Sequence, residues 1–208
     1  MTAPAFAQTP APPSAPRSQW FVGLGGGPMY PLHGDDYDEG PVALVSFGFT
    51  DNRRVRIEGE LTRRSHLNTY TSENVLLFDG PTGIPGHADR TDSGRETTDW
   101  TVGINLIGRT GWRRVSLFGG PGAVFHRKEL RQYRTVTNCT PAIPSSGQEC
   151  RDFDTRSARH GGGLQLMAGV DVHLHSRVTA YVAGRAEYRH GLAMGGVGVV
   201  GGVRVAIR

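Results

Sequence analysis

The chain has 208 residues, 30 of them glycine and 13 proline, and a formal net charge of +4. So much glycine and proline speaks against a helical protein, and no apolar run approaches the roughly 18 residues of a membrane-spanning helix. The positive charge is almost all arginine, with Lys128 the only lysine, and it is spread along the chain rather than gathered on one element, so a nucleic-acid partner is not expected.

The first stretch, MTAPAFAQTPAPPSAPRS, places Ala5 and Ala7 two apart, the small-residue pattern a signal peptidase requires. A charged and then apolar segment should precede such a site, which puts the true start upstream of Met1. Residues 1–17 are therefore read as the remnant of a signal peptide and a Pro-rich linker that does not pack.

From Ser18 onward the pattern has period two. A first strand, Trp20 to Tyr30, has Trp20, Val22 and Leu24 in phase; a second, Val42 to Phe49, has Ala43, Val45, Phe47 and Phe49. In the third, VRIEGEL sets Val55, Ile57, Gly59 and Leu61 against Arg56, Glu58 and Glu60. A fourth carries Trp100, Val102, Ile104 and Leu106. The fifth, Arg114 to His126, contains a Gly-Gly-Pro-Gly run that predicts a bulge or a bend. The sixth, GLQLMAGVDVHLH, sets Leu164, Leu166 and Val170 against Gln165, Met167 and Asp171. The seventh sets Val178, Val182 and Tyr188 against Tyr181, Arg185, Glu187 and Arg189, and the eighth sets Val199, Val203 and Val205 against Arg204. No segment has the period of a helix.

The connections alternate in length. Tight turns are expected near Thr50–Arg53, Gly108–Arg113 and His175–Arg177. On the other side lie an acidic segment, PLHGDDYDEG, a short link at His190–Gly195, and two long polar loops, about Ser65–Arg95 and Arg127–Arg159. The second long loop holds both cysteines, Cys139 and Cys150, close together in a polar stretch where an oxidising compartment closes a disulfide.

Eight alternating strands fit a soluble barrel with an apolar inside or a membrane barrel with an apolar outside. Short turns on one side and long loops on the other are the membrane arrangement. The apolar parity also includes Gly59, Ala168, Ala180, Gly184 and Gly201, which fill a soluble core poorly. The reading is an all-β fold: an eight-stranded antiparallel up-and-down transmembrane β-barrel over residues 18–208. Charges must then point inward, because an arginine on the lipid face at mid-membrane costs about 2–4 kcal/mol. Arg56, Glu58, Glu60, Asp171, Arg185, Glu187 and Arg204 are expected to form a paired interior network that fills a barrel this narrow. Trp20, Tyr30, Phe49, Trp100, Trp112 and Tyr188, near strand ends, are candidates for aromatic girdles.

The opening strand WFVGLGGGPMY, the pair LHSRVTAYVAGRAEYRH and the Gly/Val-rich last strand resemble the small outer-membrane β-barrel family of Gram-negative bacteria, the OmpA-domain and OmpX type. The resemblance implies a bacterial outer-membrane location, lipid and lipopolysaccharide as surroundings, and the barrel-assembly machinery as a partner in biogenesis. That machinery reads an aromatic last residue in the family, whereas this chain ends Val205-Ala206-Ile207-Arg208.

Motifs for chemistry are sparse. A lipid A deacylase of this architecture uses a His and a Ser two apart, but Leu192 stands two beyond His190, and Lys128 two beyond His126. The acidic run Asp35-Asp36-Tyr37-Asp38-Glu39 lacks the ligand spacing of a calcium loop. His173 and His175 are two apart at a turn, with no third metal ligand evident, and no cofactor is expected. Arg127, Lys128, Arg131 and Arg134 form a basic stretch that could meet lipopolysaccharide phosphates. The expected role is non-enzymatic, structural or surface-interacting through the long loops. A narrow pore, a lipid-modifying enzyme and a soluble ligand-binding barrel stand as rivals, and the sequence names no loop partner.

Overall fold

The computed structural model describes residues 18–31, 40–51, 54–77, 86–112, 114–140, 150–190 and 194–207. These form eight strands: β1 (Gln19–Pro31), β2 (Gly40–Asp51), β3 (Val55–Leu77), β4 (Gly86–Trp112), β5 (Val115–Thr140), β6 (Phe153–His173), β7 (Val178–Arg189) and β8 (Met194–Ile207). Each pairs antiparallel with its neighbours in sequence, and β1 pairs with β8, so the sheet closes into a barrel. Closure leaves no sheet edge in the wall, as a structure surrounded by hydrocarbon requires.

The alternation in the sequence is the alternation of the wall. On β3, Val55, Ile57 and Leu61 are exposed while Arg56, Glu58 and Glu60 are buried. On β7, Val182 and Tyr188 face out while Tyr181, Arg185 and Glu187 face in. The outside is apolar and the inside carries the charges, beside a buried apolar cluster of Ile107, Phe118, Met167, Tyr181, Ala183 and Val200, the reverse of a soluble barrel. Trp20 and Tyr30 lie about ten residues apart on the same face of β1, which for a tilted strand spans roughly the 25 Å apolar band of such proteins. At the short-turn end Trp20 stacks on Phe47 and tilts against Phe49, each at 5.1 Å. Tyr30, Trp100, Phe125 and Tyr188 are exposed toward the other end. The side chain of Trp112 lies outside the described residues.

Glycine makes the interior possible. A Cβ on Gly25 would collide with the Tyr181 hydroxyl, and one on Gly48 with the Phe21 ring, so large inward rings fit where the facing strand has no side chain. The other glycines of GLGGGP meet different neighbours: a Cβ on Gly23 would strike the Ser46 hydroxyl, and one on Gly26 or Gly27 the carbonyl of Val42 or Val199. The ring of Phe118 likewise lies over Gly169.

Two expectations are corrected. The Gly-Gly-Pro-Gly run is neither bulge nor bend: Val115↔Val172 to Arg134↔Phe153 keeps one register throughout. Pro121 points outward, and the β4–β5 pairing only skips between Asn105↔Gly122 and Gly108↔Gly119, where Pro121 offers no N–H. The larger correction concerns the long polar loops. Most of Ser65–Arg95 and Arg127–Arg159 is strand, as β3 pairs with β4 to Leu77↔Gly86 and β4 with β5 to His87↔Thr140. β2 leaves β3 at Val42↔Arg64 and β7 leaves β6 at Gly163↔Arg189. Four strands therefore run on beyond the barrel as a protruding sheet, one edge along β3 and the other along β6. The sequence of these segments reads as loop because water on both faces of that sheet leaves it without a hydrophobic alternation.

Candidate functional site

The interior is built from side chains of inward parity on all eight strands. Nearest the short turns, Asp171 accepts from Arg56 Nη1 at 2.9 Å and from Arg204 Nη1 at 2.8 Å. Glu58 lies 3.0 Å from Arg56 Nε and 3.1 Å from Arg204 Nε. The two guanidinium groups are sandwiched by rings: Arg204 lies 3.7 Å from the Tyr181 centroid and Arg56 4.7 Å from that of Phe118. A cation over a ring face gains from the ring quadrupole, most when water is excluded.

One layer up, Arg185 bridges Glu60 and Glu187, each at 2.7 Å, and donates to Gln165 Oε1 at 2.5 Å. Gln165 in turn donates to Glu60 at 2.6 Å and to Asn105. Arg189 then joins Glu187, at 2.7 Å, to Asp99. The buried charged residues include five cations (Arg56, Lys128, Arg185, Arg189, Arg204) and five carboxylates (Glu58, Glu60, Asp99, Asp171, Glu187). That balance matters, since an unpaired buried charge costs several kcal/mol. The seven residues read from parity thus fall into two groups of contacts, Arg56, Glu58, Asp171 and Arg204 in one and Glu60, Arg185 and Glu187 in the other, and the second group also takes in Asn105, Gln165, Asp99 and Arg189. Continuing each strand's parity reaches all four. His126, facing inward and fully buried, contributes neither ring nitrogen to a hydrogen bond among the described residues.

Below this network, at the short-turn end, a cavity of about 810 Å³ opens. Arg56, Asp171 and Arg204 line it together with Arg109, Ser116, His173 and Thr179, and His175, Ser176 and Arg177 of the β6–β7 turn are also in its lining. Arg109 Nη2 lies 3.2 Å from Asp171 and donates to Ser116 Oγ at 3.1 Å. His173 Nε2 lies 3.4 Å from Arg109, which can only donate, so its proton sits on Nδ1, 2.9 Å from Thr179 Oγ1. His173 is thus committed to hydrogen bonds on both ring nitrogens, and sharing a metal with His175 would break them.

The protruding sheet carries the remaining sites. Cys139 and Cys150 form a disulfide, with Cα atoms 5.5 Å apart, near its tip. Asp154 receives a bidentate pair from Arg131, Nε at 3.0 Å and Nη2 at 2.8 Å, which holds its carboxyl below the ordinary range. Asp92 is held low in the same way, by the Thr71 hydroxyl at 2.7 Å and by Arg90 Nε at 2.8 Å. Between the neighbouring strands β5 and β4, Asn138 donates to Asp89 at 2.9 Å, and both Asn138 and Asn74 on β3 take a positive φ, 49° and 53°.

The basic stretch does not present one surface. Consecutive strand residues alternate, so Lys128 points inward and is buried while Arg127 points out and pairs with Glu129 at 2.6 Å. Arg131 is held by Asp154, and Arg134 lies on the parity of Lys128. Outside, beside Arg127, Arg63 sits 5.2 Å over the Trp100 ring. His190, just past the end of β7, is exposed, whereas Leu192, the acidic run Asp35–Glu39, the segment 1–17 and the terminal Arg208 lie outside the described residues.

No protein-family model matches the chain, and neither does any curated protein. Solved structures do. Neisserial surface protein A superposes with a TM-score of 0.54 at 13% identity, over 91% of this chain and 97% of that one. Ail, the attachment invasion locus protein of Yersinia pestis, solved with the heparin analogue sucrose octasulfate, gives 0.51 at 12% identity over the same shares. At such identities the likeness is one of fold. With its apolar outer wall and charge-filled interior, the chain has the fold of the small eight-stranded outer-membrane β-barrels, and the outer membrane is the location that goes with it.

Proposed function

We propose that this protein is a non-enzymatic outer-membrane barrel with a closed interior, acting at the cell surface through the protruding sheet of β3–β6. The observation that carries this reading is the length mismatch of the strands. β4 and β5 have 27 and 26 residues, against 12 for β2 and β7. The excess serves no purpose in crossing a bilayer, which takes about 9–11 residues per strand. It displays Leu67, Tyr70 and Phe153 to solvent on two open edges, and open strand edges and exposed apolar side chains are common docking features. A disulfide and the Arg131–Asp154 pair keep the display rigid. Ail, of similar fold, is an attachment protein by name, which agrees with a surface role.

Within the membrane the proposed surroundings are lipid and lipopolysaccharide. Arg63 and Arg127, rather than the whole basic stretch, are the side chains placed to meet headgroup phosphates just beyond Trp100. The ion-paired layers from Arg56 to Asp99 fill the interior cross-section, so a pore is the weaker reading. A soluble ligand-binding barrel is overturned by the apolar outer face.

The test is a variant in which both long hairpins are trimmed to tight turns where β2 and β7 stop. It should still reach the outer membrane and still shift in gel mobility on boiling. Bacteria expressing it should lose the adhesion to one another, or to surfaces, that the parent confers. Adhesion equal in parent and variant, or absent from both, would sink the proposal.

A further inference from the structure

We propose that the cavity at the short-turn end is a binding site for the oxyanion, carboxylate or phosphate, of a small solute that enters from the side opposite the protruding sheet. The charge pattern carries the inference. The buried charges of the described residues balance, five against five, and three of them, Arg56, Asp171 and Arg204, line the cavity. Arg109 and Arg177 line the cavity with them. Among the described residues its lining holds four arginines, Arg56, Arg109, Arg177 and Arg204, against one carboxylate, Asp171. Adding Glu58, which sits behind Arg56 and Arg204, still leaves two positive charges in excess. A concave site of one sign with low-dielectric walls concentrates its field and draws counter-ions inward.

The donors converge as a recognition site requires. Three arginines already gather on the Asp171 carboxylate, Arg56 at 2.9 Å, Arg204 at 2.8 Å and Arg109 at 3.2 Å, so the floor is preorganised around an oxyanion geometry. Among the described residues Arg56 Nη2 is buried without a hydrogen-bond partner, and an oxyanion in the cavity would supply the acceptor. The hydroxyls of Ser116 and Thr179 flank the floor through His173. At about 810 Å³ the space suits a small solute rather than a single ion. Phe21 and Ala206 offer apolar wall to its body.

The experiment follows the arginine Nε–Hε resonances of folded protein in zwitterionic detergent. Inorganic phosphate and acetate are titrated separately at constant ionic strength. Saturable shifts at Arg109 and Arg177 are expected, and an Arg177→Gln variant should bind about tenfold more weakly, the worth of one charge-assisted hydrogen bond. Arg109→Gln should weaken binding at least as much; should it fail to fold, Arg177→Gln, on an exposed turn, decides alone. Saturation by phosphate only assigns the site to phosphate esters, by acetate only to carboxylates, and by both to either class. Shifts that grow without saturating for both anions, or binding unchanged in the Arg177→Gln variant, overturn the proposal.

Discussion

The protruding sheet continues four of the eight strands of the barrel wall, β3 to β6, in one unbroken register, yet the two regions follow opposite rules. In the wall, ion pairs are nearly inaccessible: Arg56 and Asp171 are 2% and 1% exposed. In the protrusion, Arg131 and Asp154 are 40% and 42% exposed. The geometry of the pairs is similar and their energetic weight is not. Exposed pairs contribute little because water and salt screen them. Buried ones matter because breaking them strands a charge that solvent cannot reach. A strand's hydrogen bonds thus carry across the membrane boundary unchanged, while the meaning of each side chain changes at it.

The sharpest way to break this comparison is one neutralisation in each region. Asp171→Asn removes the carboxylate shared by Arg56, Arg204 and Arg109. It should cost about 3–5 kcal/mol in reversible denaturant unfolding from detergent or lipid. Asp154→Asn should leave the unfolding midpoint where it was. Equal effects of the two would mean that the interior is wet and its charges are screened.

The outer faces give the next largest contrast. Val182→Arg puts a charge on the lipid side of β7 and should destabilise by about 2–4 kcal/mol. Thr135→Arg, exposed on β5 in the protrusion, should have no measurable effect. If Val182→Arg were as mild, the outer wall would not be in contact with hydrocarbon.

This difference also decides what could be read from the sequence. The wall was legible because lipid outside and charge inside force alternation: VRIEGEL and VTAYVAGRAEYR each show which side is which. The protrusion was not. Segments such as LNTYTSENVLL have β-branched and aromatic residues suited to strands, but with water on both faces nothing selects a parity, and they read as loop. The barrel's parity, carried past His126, would have put Lys128 inside, away from Arg127. Asp99 beside Trp100 follows the same rule. The basal cavity could not be read at all, because Arg109, Ser116, His173 and Thr179 come from four strands and meet only when the barrel closes.

A smaller and local effect concerns the disulfide. It closes a loop of sequence separation 11, worth up to about 3 kcal/mol in the chain-entropy model. That stabilisation belongs to the tip of the β5–β6 hairpin, far from the interior network. Reduction should therefore speed proteolysis there and leave the heat-dependent gel shift of the barrel intact. A shift lost together with the disulfide would show that the two regions unfold as one unit.

The finest separation of the regions comes from acid. Asp92 and Asp154 have carboxyl groups held below the ordinary value of 3.8 in the folded sheet, by Thr71 and Arg90 and by Arg131. A carboxyl depressed on folding binds protons more weakly in the folded state. Its contribution is complete above the unfolded value and disappears as pH falls through the folded one. Hydrogen-exchange protection around the Arg131–Asp154 pair, corrected for intrinsic rates, should hold down to about pH 4 and fall below it. In Asp154→Asn, which has nothing to protonate at that position, protection should start lower and lose its pH dependence there. A parent whose protection stays flat through this window, or a variant that copies the parent's profile, would mean that strand pairing alone holds the protrusion together and that its charges serve only as the surface it presents.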